Sequence, residues 1–204
     1  MRRSIVILLG LFATAPSLAD SDVEHARYSV VTSLDDIEIR DYAPQIVAET
    51  TVAGERDAAI SQGFRRLAGY IFGDNQPGGK IAMTAPVVQE KGAKISMTAP
   101  VAQERSEDGW RIRFTMPAQY DMAALPRPNN PEVRLVEVPG KRMAAIRFSG
   151  LVSDNDLALN AAKLADFLKK NRLVAQSGPL YAFYDPPWTL PFNRRNEVMV
   201  EILR

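Results

Sequence analysis

Asp36–Gly54 reads DIEIRDYAPQIVAETTVAG, and Glu132–Gly150 reads EVRLVEVPGKRMAAIRFSG. The two stretches align without a gap: Ile37 falls on Val133, Ile39 on Leu135, Ala48 on Ala144 and Gly54 on Gly150. Each alternates apolar and polar residues, turns at Ala43-Pro44 or Pro139-Gly140, alternates again and stops at glycine. Alternation marks a strand with one buried face, and the turn residues predict that each stretch closes on itself as a hairpin.

A helix is predicted after each hairpin. Ile60, Phe64, Leu67, Ala68 and Ile71 recur at the spacing of one helical side, and Leu157, Ala161, Leu164, Ala165 and Leu168 repeat that spacing. Asp154 is a candidate N-cap for the second helix, with Asn171 and Gly73 as candidate closing residues. Further strands are expected over Lys80–Glu104, Trp110–Met116, Leu180–Asp185 and Asn196–Leu203, and Pro126, Pro128 and Pro131 stiffen the connection between halves. Neither half alone would bury its sheet. The expectation is one α+β domain over 20–204: a distorted antiparallel β-barrel or curved sheet of two pseudo-symmetric hairpin–helix–strand halves with two packed helices. A shorter repeat, KIAMTAPVVQEK at Lys80–Lys91 and KISMTAPVAQER at Lys94–Arg105, agrees at nine of twelve positions and is read as a further hairpin. Its Met83 and Met97 suit a cavity wall or a plain strand core.

The 204 residues carry 25 basic and 24 acidic side chains. The chain begins with Arg2 and Arg3, an apolar run of 11 residues from Ile5 to Ala15, and Pro16-Ser17-Leu18-Ala19. Those are the parts of a secretory signal, and the run falls short of the roughly 20 residues needed to cross a bilayer. Cleavage after Ala19 and a periplasmic or secreted location are expected. Loss of Arg2 and Arg3 leaves 23 basic against 24 acidic residues, near −1. So even a balance excludes the basic field that nucleic-acid binding needs. With no cysteine, disulfides, thiolate metal sites and cysteine nucleophiles are excluded, and the single histidine, His25, leaves no histidine triad. No G-x-S-x-G, Walker loop or H-E-x-x-H occurs, so an enzyme is not expected.

Four passages, DIEIRDYAPQIVAE, IAMTAPV at 81–87, VPGKRMAAIRFSG at 138–150 and YDPPWTLPFNRRNEVMV at 184–200, together resemble the SOUL haem-binding family. The resemblance implies a distorted β-barrel of two repeated halves, akin to the effector-binding domains of bacterial regulators. It also implies a tetrapyrrole, haem above all, held non-covalently in a hydrophobic groove beside the first helix. Carried onto this sequence, the groove uses Ile60, Phe64, Leu67, Ala68 and Ile71, covered by Pro187–Arg195 with Trp188, Leu190 and Phe192. Arg194 and Arg195 suit propionates because a guanidinium donates two parallel hydrogen bonds to a carboxylate, although either can instead pair with Glu197 or Asp185. His25 matches no family ligand position, and Tyr181 and Tyr184 are further candidates for iron. Glu49, by strand parity, points inward. Burying roughly 300 Å² of porphyrin gives about 7 kcal/mol gross, which losses on association reduce. Two alternatives stay open: a site for another amphipathic small molecule, and a protein-interaction module built on the loop after Tyr184.

Overall fold

A computed structural model describes residues 23–76 and 92–203. The signal segment and the first copy of the shorter repeat, with Met83, lie outside the described residues. In chain order the strands are β1 (Glu24–His25), β2 (Tyr28–Leu34), β3 (Ile37–Tyr42), β4 (Gln45–Val52), β5 (Asn75–Gln76), β6 (Thr98–Ala99), β7 (Val101–Ser106), β8 (Gly109–Thr115), β9 (Arg127–Pro128), β10 (Arg134–Val138), β11 (Arg142–Phe148), β12 (Leu180–Phe183) and β13 (Asn196–Glu201). Helix α1 (Arg56–Ile71) follows β4, and α2 (Asp154–Lys170) follows β11. Nine strands form one antiparallel sheet in the order β10-β4-β8-β7-β12-β13-β11-β3-β2, with α1 on β4 and β8 and α2 on β11 and β13.

The strands expected from alternation are present, but neither stretch is a hairpin. β3 pairs with β2 and β11, whereas β4 pairs with β8 and β10. The two stretches pair with each other instead. Arg134 stands opposite Glu49 and Arg142 opposite Asp41, so paired residue numbers add to 183 along both ladders. Tyr42 N–H donates to Lys141 O (2.8 Å) and Lys141 N–H to Tyr42 O (3.2 Å), carrying the ladder through both turns. The turns therefore cross at the centre of a pseudo-twofold arrangement. Gly140 is required there because a Cβ would stand 2.8 Å from Tyr42 O. A turn with proline can close a hairpin or kink a through-going strand, and periodicity alone does not separate the two.

Each helix covers one half-sheet. The core-facing residues of α1 are Ala59, Gly63, Leu67, Tyr70 and Ile71, a stripe rotated from the expected one. Gly63 explains the rotation: a Cβ there would sit 2.6 Å from Ile112 Cδ1, so the helix approaches β8 through its smallest residue. Ile60 and Ala68 are half-buried and Phe64 is 38% exposed. In α2, Leu157, Asn160, Leu164 and Leu168 are buried, while Ala165 is exposed. Its N-cap is Ser153, not Asp154, with a capping box to Asp156; Asn171 closes the helix as expected. Of the second copy of the shorter repeat, β7 enters the nine-stranded sheet while β6 pairs in parallel with β1 as a separate two-stranded ribbon, and Met97 is partly exposed. None of the described helices is long and apolar enough to cross a membrane.

Candidate functional site

Strand parity gives the sheet two faces. Trp110, Ile112 and Phe114 of β8, with Ala48 and Val52 of β4, belong to the cluster under α1; Ala144, Ile146, Val198 and Val200 belong to the cluster under α2. Between the helices the same face carries half-buried Val101 of β7 and Phe183 of β12. Phe64 leans on Phe114 with ring centroids 5.3 Å apart, and Phe114, Val101 and Phe183 are successive register neighbours. Phe114, on which Phe64 leans, therefore stands roughly 10 Å, two interstrand spacings, from the strand that feeds the Tyr184–Arg195 loop.

That loop is tied at its base and bare at its tip. Tyr184 N–H donates to Arg195 O (3.3 Å), Arg195 N–H to Asp185 Oδ2 (2.6 Å) and Gly150 N–H to Pro191 O (2.9 Å). Proline fixes backbone angles, so the hydrogen bonds hold a stiff loop rather than a floppy one. Trp188 is 83% exposed, Phe192 70%, and Leu190 is exposed as well. Arg194 turns back on its own loop, Nε donating to Thr189 O (2.8 Å) and Nη2 to Pro187 O. Ile60, Phe64 and Ala68 of α1 and its C-cap Phe72 repeat at four-residue spacing, with Phe64 and Phe72 exposed.

Three expected site residues are taken up elsewhere. Leu67 and Ile71 are enclosed beneath α1 and offer no face to a ligand. Arg195 belongs to a buried ion cluster on the helix-free face. Glu197 (0% exposed) accepts from Arg40 Nη1 (2.7 Å) and Nη2 (2.9 Å), from Arg195 Nε (2.9 Å) and Nη2 (2.8 Å), and from Tyr184 Oη (2.7 Å). Arg40 (2% exposed) also donates to Glu38 and Tyr42 and stacks on Tyr28 at 4.5 Å; Arg195 stacks on Tyr184 at 4.0 Å. Burial pushes the Glu197 carboxyl up, but hydrogen bonds and charge from Arg40, then the charge of Arg195, outweigh it and hold the group below its ordinary range. Tyr184 moves the other way, well above its ordinary value, through burial and then the Glu197 charge.

His25 lies in β1, paired with β6, its ring edge-on to Tyr184 at 5.6 Å. Tyr184 shares the cluster of Met143, Ala145, Ala182 and Met199 on the helix-free face, so His25 does not adjoin the groove beside α1. Tyr181 packs between the two helix-side clusters, 6.4 Å from Trp110. Among the described residues no group of three or more histidines and carboxylates is arranged to hold a metal ion. Glu49 does face away from the helices, with Arg113 Nε at 2.9 Å. Sequence reasoning missed Arg40, because it occupies an ordinary polar position of the alternating stretch IEIRDY and carries no local signal of burial.

The helix-free face is hollowed. One cavity of about 310 Å³ is lined by Val47, Ala102, Leu180, Met143 and Met199 together with Glu104, Arg111, Arg113, Lys141 and Glu201. A second hollow of about 740 Å³ adjoins it through Ala26, Gln45, Thr115, Val138 and Pro139 and is bordered by His25.

Comparison with solved structures supports the fold alone. The chain is similar to the EcmrR C-terminal domain (TM-score 0.58, 9% identity, 87% of this chain and 98% of that one). It is also similar to a protein of Listeria innocua described as a hydrolase (TM-score 0.51, 12% identity, 82% and 92%). Among characterised proteins, heme-binding protein 2 of Homo sapiens is 31% identical over 163 residues, covering 79% of this chain and 75% of that protein. Heme-binding protein 1 of Xenopus laevis is 26% identical over 162 residues, 79% and 80%. The family model of the SOUL heme-binding protein matches residues 23–201. On that span, which takes in both half-sheets and the proline-rich loop, the chain belongs to the SOUL heme-binding protein family.

Proposed function

We propose that the protein is a binder rather than a catalyst, and that it reversibly holds haem or a related tetrapyrrole between the outer flank of α1 and the Trp188 loop. The observation that carries this is the set of exposed apolar side chains, Phe64, Trp188, Leu190 and Phe192, on rigid supports in a chain of this family. Isolated exposed aromatics are ordinary, but several gathered on one face mark a binding surface. Ile60, Phe64, Ala68, Val101 and Phe183 would meet the flat ring, and Trp188, Leu190 and Phe192 would cover it. Arg194, whose plane is set by Thr189 and Pro187, would meet a propionate. Arg195, Leu67 and Ile71 act indirectly, by fixing the loop base and the helix.

Iron ligation by His25 is not part of this reading, since that ring sits against Tyr184 on the opposite face. Haem would supply whatever redox chemistry occurs; the chain supplies apolar contact and orientation. The reading includes export, with cleavage after Ala19, a periplasmic or secreted mature domain over 20–204, and an origin of the two halves by duplication. Hemin titration of the mature protein, followed by the Soret band and tryptophan quenching, tests it. Saturation at micromolar hemin is expected, Phe64→Asp weakening binding at least tenfold and His25→Ala leaving it within twofold. No saturable change overturns it.

A further inference from the structure

The 310 Å³ cavity on the helix-free face lies on the opposite side of the sheet from the proposed tetrapyrrole groove, and its charges do not balance. Parity places Arg111 and Arg113 of β8 on this face, because Trp110, Ile112 and Phe114 are under α1. They stand opposite Glu104 of β7 and Glu49 of β4, and Arg134 of β10 stands opposite Glu49 as well. Two carboxylates thus serve three guanidinium groups. Glu104 Oε1 receives Arg111 Nη1 at 2.9 Å and Arg113 Nη1 at 3.0 Å. Glu49 Oε2 is 2.9 Å from Arg113 Nε, and its Oε1 is 3.9 Å from Arg134 Nη2. Arg111 Nε is buried yet makes no hydrogen bond; Glu49 Oε2, at 4.0 Å, is out of reach. Lys141 and Glu201 pair one to one on the far wall. One positive charge remains over in either tally, that of the lining residues alone or that including Glu49 and Arg134.

The floor is apolar: Val47, Ala102, Leu180, Met143 and Met199. Methionine adapts its shape to what it meets, and Ala102 leaves depth in the middle of the sheet. An apolar floor beside an arginine pair, in a lining with one positive charge to spare, matches a carboxylate or sulfonate head on a short apolar body. The volume lies at the small end of ligand cavities, suited to one ring or a short acyl chain. The geometry points to a second binding site here, for a small amphipathic organic monoanion, independent of the tetrapyrrole groove.

The test uses octanoate, with octyltrimethylammonium and octanol as the cationic and neutral counterparts, in calorimetric titrations and thermal melts of the mature protein. Octanoate is expected to bind at least tenfold more tightly than either counterpart, since a charge-assisted hydrogen bond is worth that much. Arg111→Gln should weaken octanoate at least tenfold, Arg111→Lys less, and Ala102→Phe should abolish binding by filling the floor. Trp188→Ala should leave octanoate affinity unchanged while weakening hemin, and octanoate should not displace hemin. The proposal is overturned by absence of binding at millimolar octanoate, by equal affinity for the cation, or by indifference to both Arg111→Gln and Ala102→Phe. Failure of hemin to bind leaves these outcomes intact.

Discussion

Glu197→Gln removes one charge from the centre of the sheet and barely alters shape. In the wild type this carboxylate accepts five hydrogen bonds, four from two guanidinium groups and one from Tyr184. Without its charge, Arg40 and Arg195 face each other across a neutral amide, and among the described residues Arg40 keeps Glu38 as its anionic partner. Breaking a buried ion pair from one side costs about 3–5 kcal/mol. For a domain of this size each kcal/mol moves the melting midpoint about 2–4 °C, so a fall of about 6–20 °C is expected. Urea denaturation of both proteins measures the loss directly. Arg40→Met on the Glu197→Gln background should recover about 1 kcal/mol or more, because it removes one of the two orphaned charges. The acid limb gives a second readout. A carboxyl held below its ordinary value of 4.5 contributes fully above that pH and loses its contribution as pH falls through the folded value. Wild-type stability should therefore decline below about pH 4.5, and Glu197→Gln should flatten that decline. A loss under about 1 kcal/mol, or a double variant whose losses merely add, would refute the account of the cluster.

Gly63→Ala sets helix propensity, which favours alanine by about 1 kcal/mol, against a Cβ placed 2.6 Å from Ile112 Cδ1; overpacking of about 1–3 kcal/mol should win, giving net destabilisation in urea. Ser153→Ala deletes the capping box of α2 and should lower the melting midpoint by about 2–4 °C. Phe64→Asp should weaken hemin at least tenfold with little loss of stability, since that ring is partly exposed already. Arg111→Gln should reduce octanoate affinity at least tenfold without altering hemin affinity.

Local features of the fold were legible because they have local causes. Alternating residues produced β3, β4, β10 and β11, and helical spacing produced α1 and α2. Pairing was not legible, because the partner of Ile37 is Ile146, and no local period encodes that choice. The gapless match of the two stretches was a real signal, but it fits self-closing hairpins and mutual pairing about a twofold equally well. The α1 stripe is rotated from the one its large apolar residues suggest, because the contact is made through Ala59 and Gly63, where small size brings helix and sheet together. At the site, Trp188 and Phe192 are exposed at the loop tip. The Arg195–Glu197 pairing that the sequence offers as the alternative to propionate binding is the one formed, and Arg40 joins it from a strand over 150 residues away in sequence. Only the assembled sheet reveals that meeting.

The mutual pairing of the two stretches also governs how the chain can assemble. Every contact between β3 and β11 spans about a hundred residues, so a large entropic penalty for closing the loop precedes any reward from that ladder. An amino-terminal half emerging alone would display the unpaired edges of β3 and β4, both awaiting partners not yet synthesised. The central ladder is in this sense a late seam, and the protein should remain a substrate for holding chaperones until its last strands arrive.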